Sequence, residues 1–278
     1  MPADLRIGEL SRRTGVSTEL LRAWERRYDL LRPERSSGGY RLYSTDDELR
    51  VRAMTAALAR GLSAGEAAKA AVADGGPELP SPGTLVEALV GFDDVGAHAA
   101  LDRLLSTLTL DTVLRGSVLP ALQELGERWQ RGEITIGQEH FASNLLRGRL
   151  LGLARGWDRG AGPRALLACP AGELHDLSLI AFGLALREHG WRITFLGADT
   201  PLATIDETAT ALRPDLVVVA AVDAAKLSAF VPELRDLATR FPLALAGAAG
   251  VEALVDQTGA DYLALGPVEA AAAVAASA

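Results

Sequence analysis

"LACPAGELHDLSLIAFGLALREHGWRITFLGADTP", residues 167–201, sets the fold. It opens as an apolar run suited to a buried strand, passes through a polar loop into an amphipathic helix, and ends in a second apolar run. The alternation continues on both sides of this stretch. Strands are expected over 165–170, 192–198, 215–222, 243–248 and 262–266, and helices over 174–189, 202–212, 225–240, 251–258 and the Ala-rich C-terminus. The strands are continuous apolar runs, as strands buried on both faces are, so the sheet should be parallel and doubly wound. Ligands of such sheets sit beyond the carboxyl ends of the strands. The loop "PAGELHD" lies at the end of the first one and carries His175, one of four histidines in the chain, close to the carboxylates Glu173 and Asp176. As a bland residue, His175 is a polar side chain at the mouth of a sheet; as a functional one, it is a ligand for whatever the loop cradles.

Upstream, residues 84–158 are helical in pattern, with about four apolar-faced segments joined by short turns, which suggests a small bundle. Within it "RWQRGEITIGQEH" separates Trp129, which Gln130 follows, by nine residues from the pair Glu139 and His140. Taken alone, Trp129 reads as core and the Glu-His pair as helix surface. "RGAGP", 159–163, reads as a linker into the α/β domain, and "ADGGPELPSPGT", 73–84, as a linker ahead of the bundle.

The first 75 residues have a different character. "RIGELSRRTG" and "VSTELLRAWERRYDLL" place two short helices around a Gly-containing turn, with Ser17 as the cap of the second, the pattern of a helix-turn-helix. "RPERSSGGYRLYS" follows as a small hairpin or wing. Thr45 with Glu48, and Ser63 with Glu66, have the spacing of capping boxes that open two further helices. Residues 6–41 hold nine Arg against five acidic residues, about +4, while the chain as a whole is −8. An acidic protein with a basic head is read as a module for a polyanion attached to one that does not meet it. Arg12, Ser17, Thr18, Arg22, Arg26, Arg27, Arg35, Tyr40 and Arg41 are the candidate DNA contacts. Trp24 and Tyr28 read as packing.

Composition narrows the function classes. Hydrophobic residues at 49% and charged residues at 23% describe a folded chain. A single cysteine, Cys169, allows neither a disulfide framework nor a thiolate metal site and fits a reducing, cytoplasmic setting. The N-terminus lacks the order of a signal peptide, and no run is long and apolar enough for a bilayer. Double-stranded DNA and a small molecule are thus the expected partners, with no membrane.

"IGELSRRTGVSTELLRAWERRYDLLRPERSSGGYRLYS" resembles the MerR family of winged-helix regulators, across about 70 residues. That resemblance implies operator binding as a dimer or higher assembly. The loop Glu173-Leu174-His175-Asp176-Leu177-Ser178 resembles the Glu-any-His-any-any-Gly signature of cobalamin-binding domains, whose His is the lower axial ligand of cobalt. A bundle with Trp, nine residues and Glu-His ahead of an α/β domain is similar to the light-sensing adenosylcobalamin repressors of the CarH and LitR type. The resemblance implies that His175 ligates the cobalt of adenosylcobalamin from below, with Asp176 or Glu173 orienting its ring. It further implies that Trp129 covers the upper face, with Gln130, Glu139 and His140 beside it.

The chain departs from those patterns at several positions. Ser178 stands where the loop signature ends in Gly. The stretch that lines the pocket for the nucleotide tail is "AAVDAAKL", with Ala220, Ala221 and Asp223, and the Gly-Gly of the fourth strand is Ala246-Gly247. Gln130 stands where the photoreceptors have a His for the upper cobalt position, and an amide is a poor cobalt ligand beside imidazole. Three readings of the sensor half stay open: cobalamin binding, with or without a response to light; a pocket for another tetrapyrrole or small molecule; and a domain that only oligomerises or meets a protein partner. A cobalamin-dependent enzyme is the rival of a different class, but the chain shows no nucleophile and base, and a basic head has no task there. The expected organisation is multidomain: an all-α winged helix-turn-helix head over 1–75, a linker at 76–83, a four-helix bundle over 84–158, and a doubly wound (Rossmann-like, flavodoxin-like) α/β domain over 163–278. A ligand-responsive, non-enzymatic repressor, dimeric or tetrameric, is the function expected.

Overall fold

The computed structural model describes residues 5–36, 38–59, 61–73, 82–247 and 251–277. These form two compact units, residues 1–128 and 129–278.

In the first unit α1 (Ile7–Thr14) and α2 (Thr18–Tyr28) enclose a turn at Gly15, whose φ of +70° a side chain would resist. Ser17 caps α2, its hydroxyl oxygen accepting from the Leu20 N–H at 3.3 Å. The wing is the hairpin of β1 (Glu34–Arg35) and β2 (Arg41–Leu42), extended by a bridge between Leu5 and Tyr43. Helices α3 (Thr45–Ala59) and α4 (Ala64–Ala73) close a core of Leu10, Leu21, Trp24, Leu30, Tyr43, Val51 and Met54.

The cap of α3 differs from the sequence expectation by one residue. Ser44 and Asp47 form the box: the Ser44 N–H donates to the Asp47 carboxylate at 2.9 Å, and the Asp47 N–H donates to the Ser44 hydroxyl at 3.2 Å. Glu48 is released from capping and buried among charges. The Ser63 and Glu66 box forms as expected.

Most of the expected first linker, residues 74–81, lies outside the described residues. Helices α5 (Pro82–Val90), α6 (Asp94–Thr107) and α7 (Leu110–Val113) follow. A π-helical turn (Leu114–Val118) then leads into α8 (Leu119–Gln130), where Pro120 withholds a backbone donor.

In the second unit α9 (Ile136–Leu153) starts from a capping box of Thr135 and Gln138. The expected linker at 159–163 is packed rather than free, because Pro163 O accepts from Arg192 N at 2.7 Å and Gly162 O from Arg192 Nε at 2.8 Å. Beyond it run β3 (Arg164–Pro170), α10 (Leu177–Glu188), β4 (Arg192–Thr200), α11 (Leu202–Leu212) and β5 (Leu216–Ala221). Then come α12 (Ala224–Ser228), α13 (Val231–Arg240), β6 (Leu243–Gly247), α14 (Val255–Thr258), β7 (Asp261–Leu263) and α15 (Pro267–Ser277).

The strands pair in the order β4-β3-β5-β6-β7, all parallel, which is the flavodoxin-like winding with β3 at the switch point. Only Arg164 of β3 is less than fully buried. The single helix expected over 225–240 is two, since the chain leaves helical geometry at Phe230 before Pro232 opens the first turn of α13.

Candidate functional site

The β3–α10 loop is built around one carboxylate. Glu173 is fully buried, and its Oε1 accepts the His175 backbone N–H at 2.9 Å and stands 2.7 Å from His175 Nδ1. Its Oε2 accepts the Val222 N–H, past the end of β5, at 2.9 Å, and the Lys226 ammonium on α12 stands 3.4 Å from Oε1. Burial by itself would raise the Glu173 carboxyl. The donors of His175 and Val222, with the Lys226 charge, outweigh it and hold the group down to about 2. An ionised carboxylate can only accept, so Nδ1 is the donor of this contact, and in the neutral ring Nε2 keeps its lone pair. The ring itself is exposed, 67% of its side-chain surface open to solvent. A buried acceptor thus aims a bare imidazole nitrogen outward, as ligating histidines are held.

The loop's outer frame is polar too. Asp199, at φ +51° after a bulge in β4, accepts the Gly172 N–H at 2.7 Å and donates its own N–H to Glu173 O at 2.8 Å. Asp176 is engaged elsewhere: its carboxylate takes a bidentate fork from Arg147 of α9, at 2.6 to 3.0 Å, while only 2% exposed. Of the two acceptors expected for the ring, Glu173 is the one in contact. Cys169 lies buried under the loop with its thiol pushed up to about 12 by burial first and then by Asp176 and Glu173, so it is inert as a nucleophile.

Beside His175 opens a cavity of about 420 Å³ at the carboxyl ends of β5, β6 and β7. Ser178, Leu179 and Phe182 of α10 form one wall, Ala220, Ala221, Ala246 and Gly247 the floor, and Leu263, Leu265 and Ala270 the far side. Gly247 has a φ of +146°, and a Cβ there would overlap the Ala221 carbonyl oxygen. Among the expected pocket residues, His175, Ser178, Ala220 and Gly247 line this space. Asp223 instead caps α12, accepting the Ala225 N–H at 2.9 Å. The residues fit a corrinoid as a donor set: one exposed imidazole, oriented by a carboxylate, next to a largely apolar cavity of about 420 Å³. Trp129 and Gln130 end α8 exposed, and His140 Nδ1 lies 2.6 Å from Glu139, which also accepts the Ser143 hydroxyl.

In the head, Arg22, Arg26 and Arg27 are exposed on α2. Arg22 and Arg26 are one turn apart, and like charges at that spacing cost a helix stability unless an anion joins them. In the wing Arg35 stands opposite Arg41 in register, a second like-charge pair. Tyr40 is exposed with the Arg6 guanidinium 5.2 Å from its ring centre. Arg41 also pairs with Glu25 at 3.1 Å and Arg12 with Glu9 at 2.8 Å, so those two are partly committed within the fold. Ser17 serves as a cap and Thr18 bonds Glu19.

Sequence reading missed Arg147, Lys226 and Asp199. Lys226 carries a signal, being one of two lysines in a chain whose other basic residues are all Arg, just past a strand end. Arg147 and Asp199 carry none, because their roles depend on pairing across the sheet and onto α9.

These features define a helix-turn-helix head with a cationic face, joined to a sensor half built on a ligand-binding α/β sheet. Residues 5–72 match the MerR HTH family of regulatory proteins, and 83–151 and 163–276 match two B12 binding domain families. The chain is 36% identical over 272 residues to the HTH-type transcriptional repressor CarA of Myxococcus xanthus, covering 93% of this chain and 92% of that one. It is 32% identical over 257 residues to CarH of the same organism, covering 86% of each. Its fold is similar to that of the monomethylamine corrinoid protein of Methanosarcina barkeri, with a TM-score of 0.58 at 18% identity over 70% of this chain and 96% of that one. The chain belongs to this family of MerR-type regulators carrying B12-binding domains, and it is a DNA-binding transcriptional regulator rather than an enzyme. No described helix is long and apolar enough to cross a membrane.

Proposed function

We propose that the protein is a repressor that binds adenosylcobalamin in the β3–α10 site and changes its assembly with the ligand. His175 would hold the cobalt through Nε2, Glu173 would fix the ring, and Ser178, Phe182, Ala220 and Gly247 would enclose the tail. When bound, the corrinoid supplies a cobalt–carbon bond and a large apolar surface. The observation that carries this reading is the exposed imidazole whose Nδ1 is held 2.7 Å from a buried carboxylate beside a 420 Å³ cavity. Trp129, Glu139 and His140 are proposed for the upper face. Operator DNA would meet Arg22, Arg26 and Arg27 at the phosphates and base edges of the major groove, with Arg35, Tyr40 and Arg41 on the backbone. Association of sensor halves into dimers or tetramers would then raise operator affinity by linking heads.

The test is a visible spectrum of the protein mixed with adenosylcobalamin in the dark and desalted, beside His175→Ala. Retained colour with a His-ligated spectrum, lost in the variant, is the expected result. A colourless protein would sink the reading. A second reading, another tetrapyrrole or small molecule, is favoured by one observation: Ser178 is the one hydroxyl among the described residues lining the cavity, whose floor at Ala220 and Ala221 offers no side-chain donor.

A further inference from the structure

We infer that a buried cluster of charges on α1, α3 and α7 fixes the orientation of the DNA-binding head on the bundle helices, and that this makes the separation of half-sites in the operator a quantity the protein selects. Arg13, Asp111 and Thr112 are its positioning residues, and none of them is among the groups assigned to DNA. The inference rests on the reading that linked heads meet one operator.

The apolar core of the head draws on residues from Leu5 to Ala71 and includes none from α5 to α8. Polar groups join the two. The Arg13 guanidinium on α1, 8% exposed, donates through Nη2 to Asp111 Oδ2 at 2.8 Å and through Nη1 to Thr112 Oγ1 at 2.7 Å, both on α7. Its Nε donates to Glu9 at 2.7 Å. The Thr112 hydroxyl donates in turn to Glu48 Oε2 of α3 at 3.1 Å, and the other Glu48 oxygen accepts from Arg52 at 3.0 Å. Thr112 and Glu48 are both buried. On the bundle side Thr109 caps α7, and Asp111 also pairs with Arg115 of the π-helical turn at 3.4 Å.

Such a contact selects one geometry. Apolar burial is non-directional, so a greasy interface can shift at little cost. Each donor of a guanidinium has a fixed direction, and one that loses its acceptor in low dielectric strands a charge. Replacing a buried ion network by apolar groups often costs nothing in stability, so orientation is what this cluster supplies. Heads held at one angle present their α2 helices at a fixed separation once copies associate, and paired heads read half-sites about 10 base pairs, or a multiple of that, apart. Heads free to turn would accept any spacing.

The experiment uses the full chain as parent, Asp111→Asn and Thr112→Val, two changes that lie outside the head and leave its core intact. Orientation is read by pulsed dipolar spectroscopy between spin labels on Lys69→Cys of α4 and Val95→Cys of α6, both exposed positions, in chains diluted with unlabelled protein; the native Cys169 is buried. The parent should give one narrow distance distribution, and each variant one at least twofold wider. Spacing is read, with adenosylcobalamin in the dark, from affinity for duplexes that the parent selects out of a random pool. The same duplexes are then cut to one half-site, or lengthened between half-sites by about 5 base pairs, half a helical turn. The parent should lose about tenfold or more on the insertion and the variants less than threefold, while all three bind the single half-site equally. A merely stabilising cluster would weaken the single half-site and leave the spacing preference as it was. Narrow distributions in the variants, or a spacing preference equal to the parent's, overturn the assignment while leaving the repressor reading in place. A parent indifferent to spacing removes the reading of linked heads and this inference with it.

Discussion

At the scale of single residues, the site is shaped by small groups whose size is decided by neighbours. Ser178 lies in the first turn of α10 and on the cavity wall, where the family signature has Gly. Ser178→Gly should deepen the slot and tighten retention of adenosylcobalamin on gel filtration several-fold. The same change costs the helix about 0.5 kcal/mol in intrinsic propensity, so the urea midpoint should fall slightly as binding improves. Weaker retention would mean that the Ser178 hydroxyl is itself a contact. Gly247 is the opposite case. Its φ of +146° and the Ala221 carbonyl against it leave no room for a methyl, so Gly247→Ala should cost at least about 2 kcal/mol, measured by urea unfolding. His175 was legible as a candidate from its loop alone. Which carboxylate holds it was not, because Glu173 and Asp176 differ only in what crosses to meet them: Val222 and Lys226 for one, Arg147 for the other.

At the scale of elements, α1, α3 and α7 meet in a buried cluster of charges. The Arg13 guanidinium, 8% exposed, donates to Glu9 at 2.7 Å, to the Thr112 hydroxyl at 2.7 Å and to Asp111 at 2.8 Å, and stands 3.6 Å from the fully buried Glu48. Arg52 pairs with Glu48 at 3.0 Å and donates to the Arg13 carbonyl. Removing one member strands its partners in low dielectric, so Arg13→Met should destabilise the first unit by about 3 kcal/mol in chemical unfolding. Acid should act on the same cluster. Burial would raise the Glu9 carboxyl, but the Arg13 and Arg12 forks hold it below its ordinary value. A depressed folded value means that stability is present above the ordinary carboxylate range, about 4.3, and is lost as pH falls through the lowered one. The urea midpoint of the parent should drop more steeply below about pH 4 than that of Arg13→Met. Parallel curves would show that Glu9 does not report this cluster. Nothing in the sequence pointed here, since the spacing of Thr45 and Glu48 imitates a capping box that Ser44 and Asp47 in fact make. The inner strands β3, β5 and β6, by contrast, were readable to within a residue, because a strand buried on both faces rarely admits polar groups, whereas the edge strand β7 ends three residues before its expected limit. The wing was readable from its glycines.

At the scale of the whole molecule, charge separates the two tasks. Residues 6–41 are cationic within a chain of net charge −8, so an acidic body discourages non-specific contact with DNA while the head supplies the phosphate contacts. That division allows heads per operator to be counted. Each phosphate contact contributes about 0.9 to the slope of log affinity against log salt. If Arg22 or Arg26 touches a phosphate, replacing it by Ala should lower the slope by about one for every head engaged. With adenosylcobalamin in the dark, a dimeric or larger assembly should make that loss about two or more. Without ligand, if single heads bind, it should be about one. Fluorescence anisotropy of an operator duplex over a salt series, for parent and Arg22→Ala in both conditions, gives all four slopes. A loss that is equal with and without ligand would show that the sensor half does not set the number of heads on DNA, and regulation would have to act on each head singly. No loss in either condition would place Arg22 away from the backbone, reading bases instead, and specificity among operator variants would then be the quantity it controls.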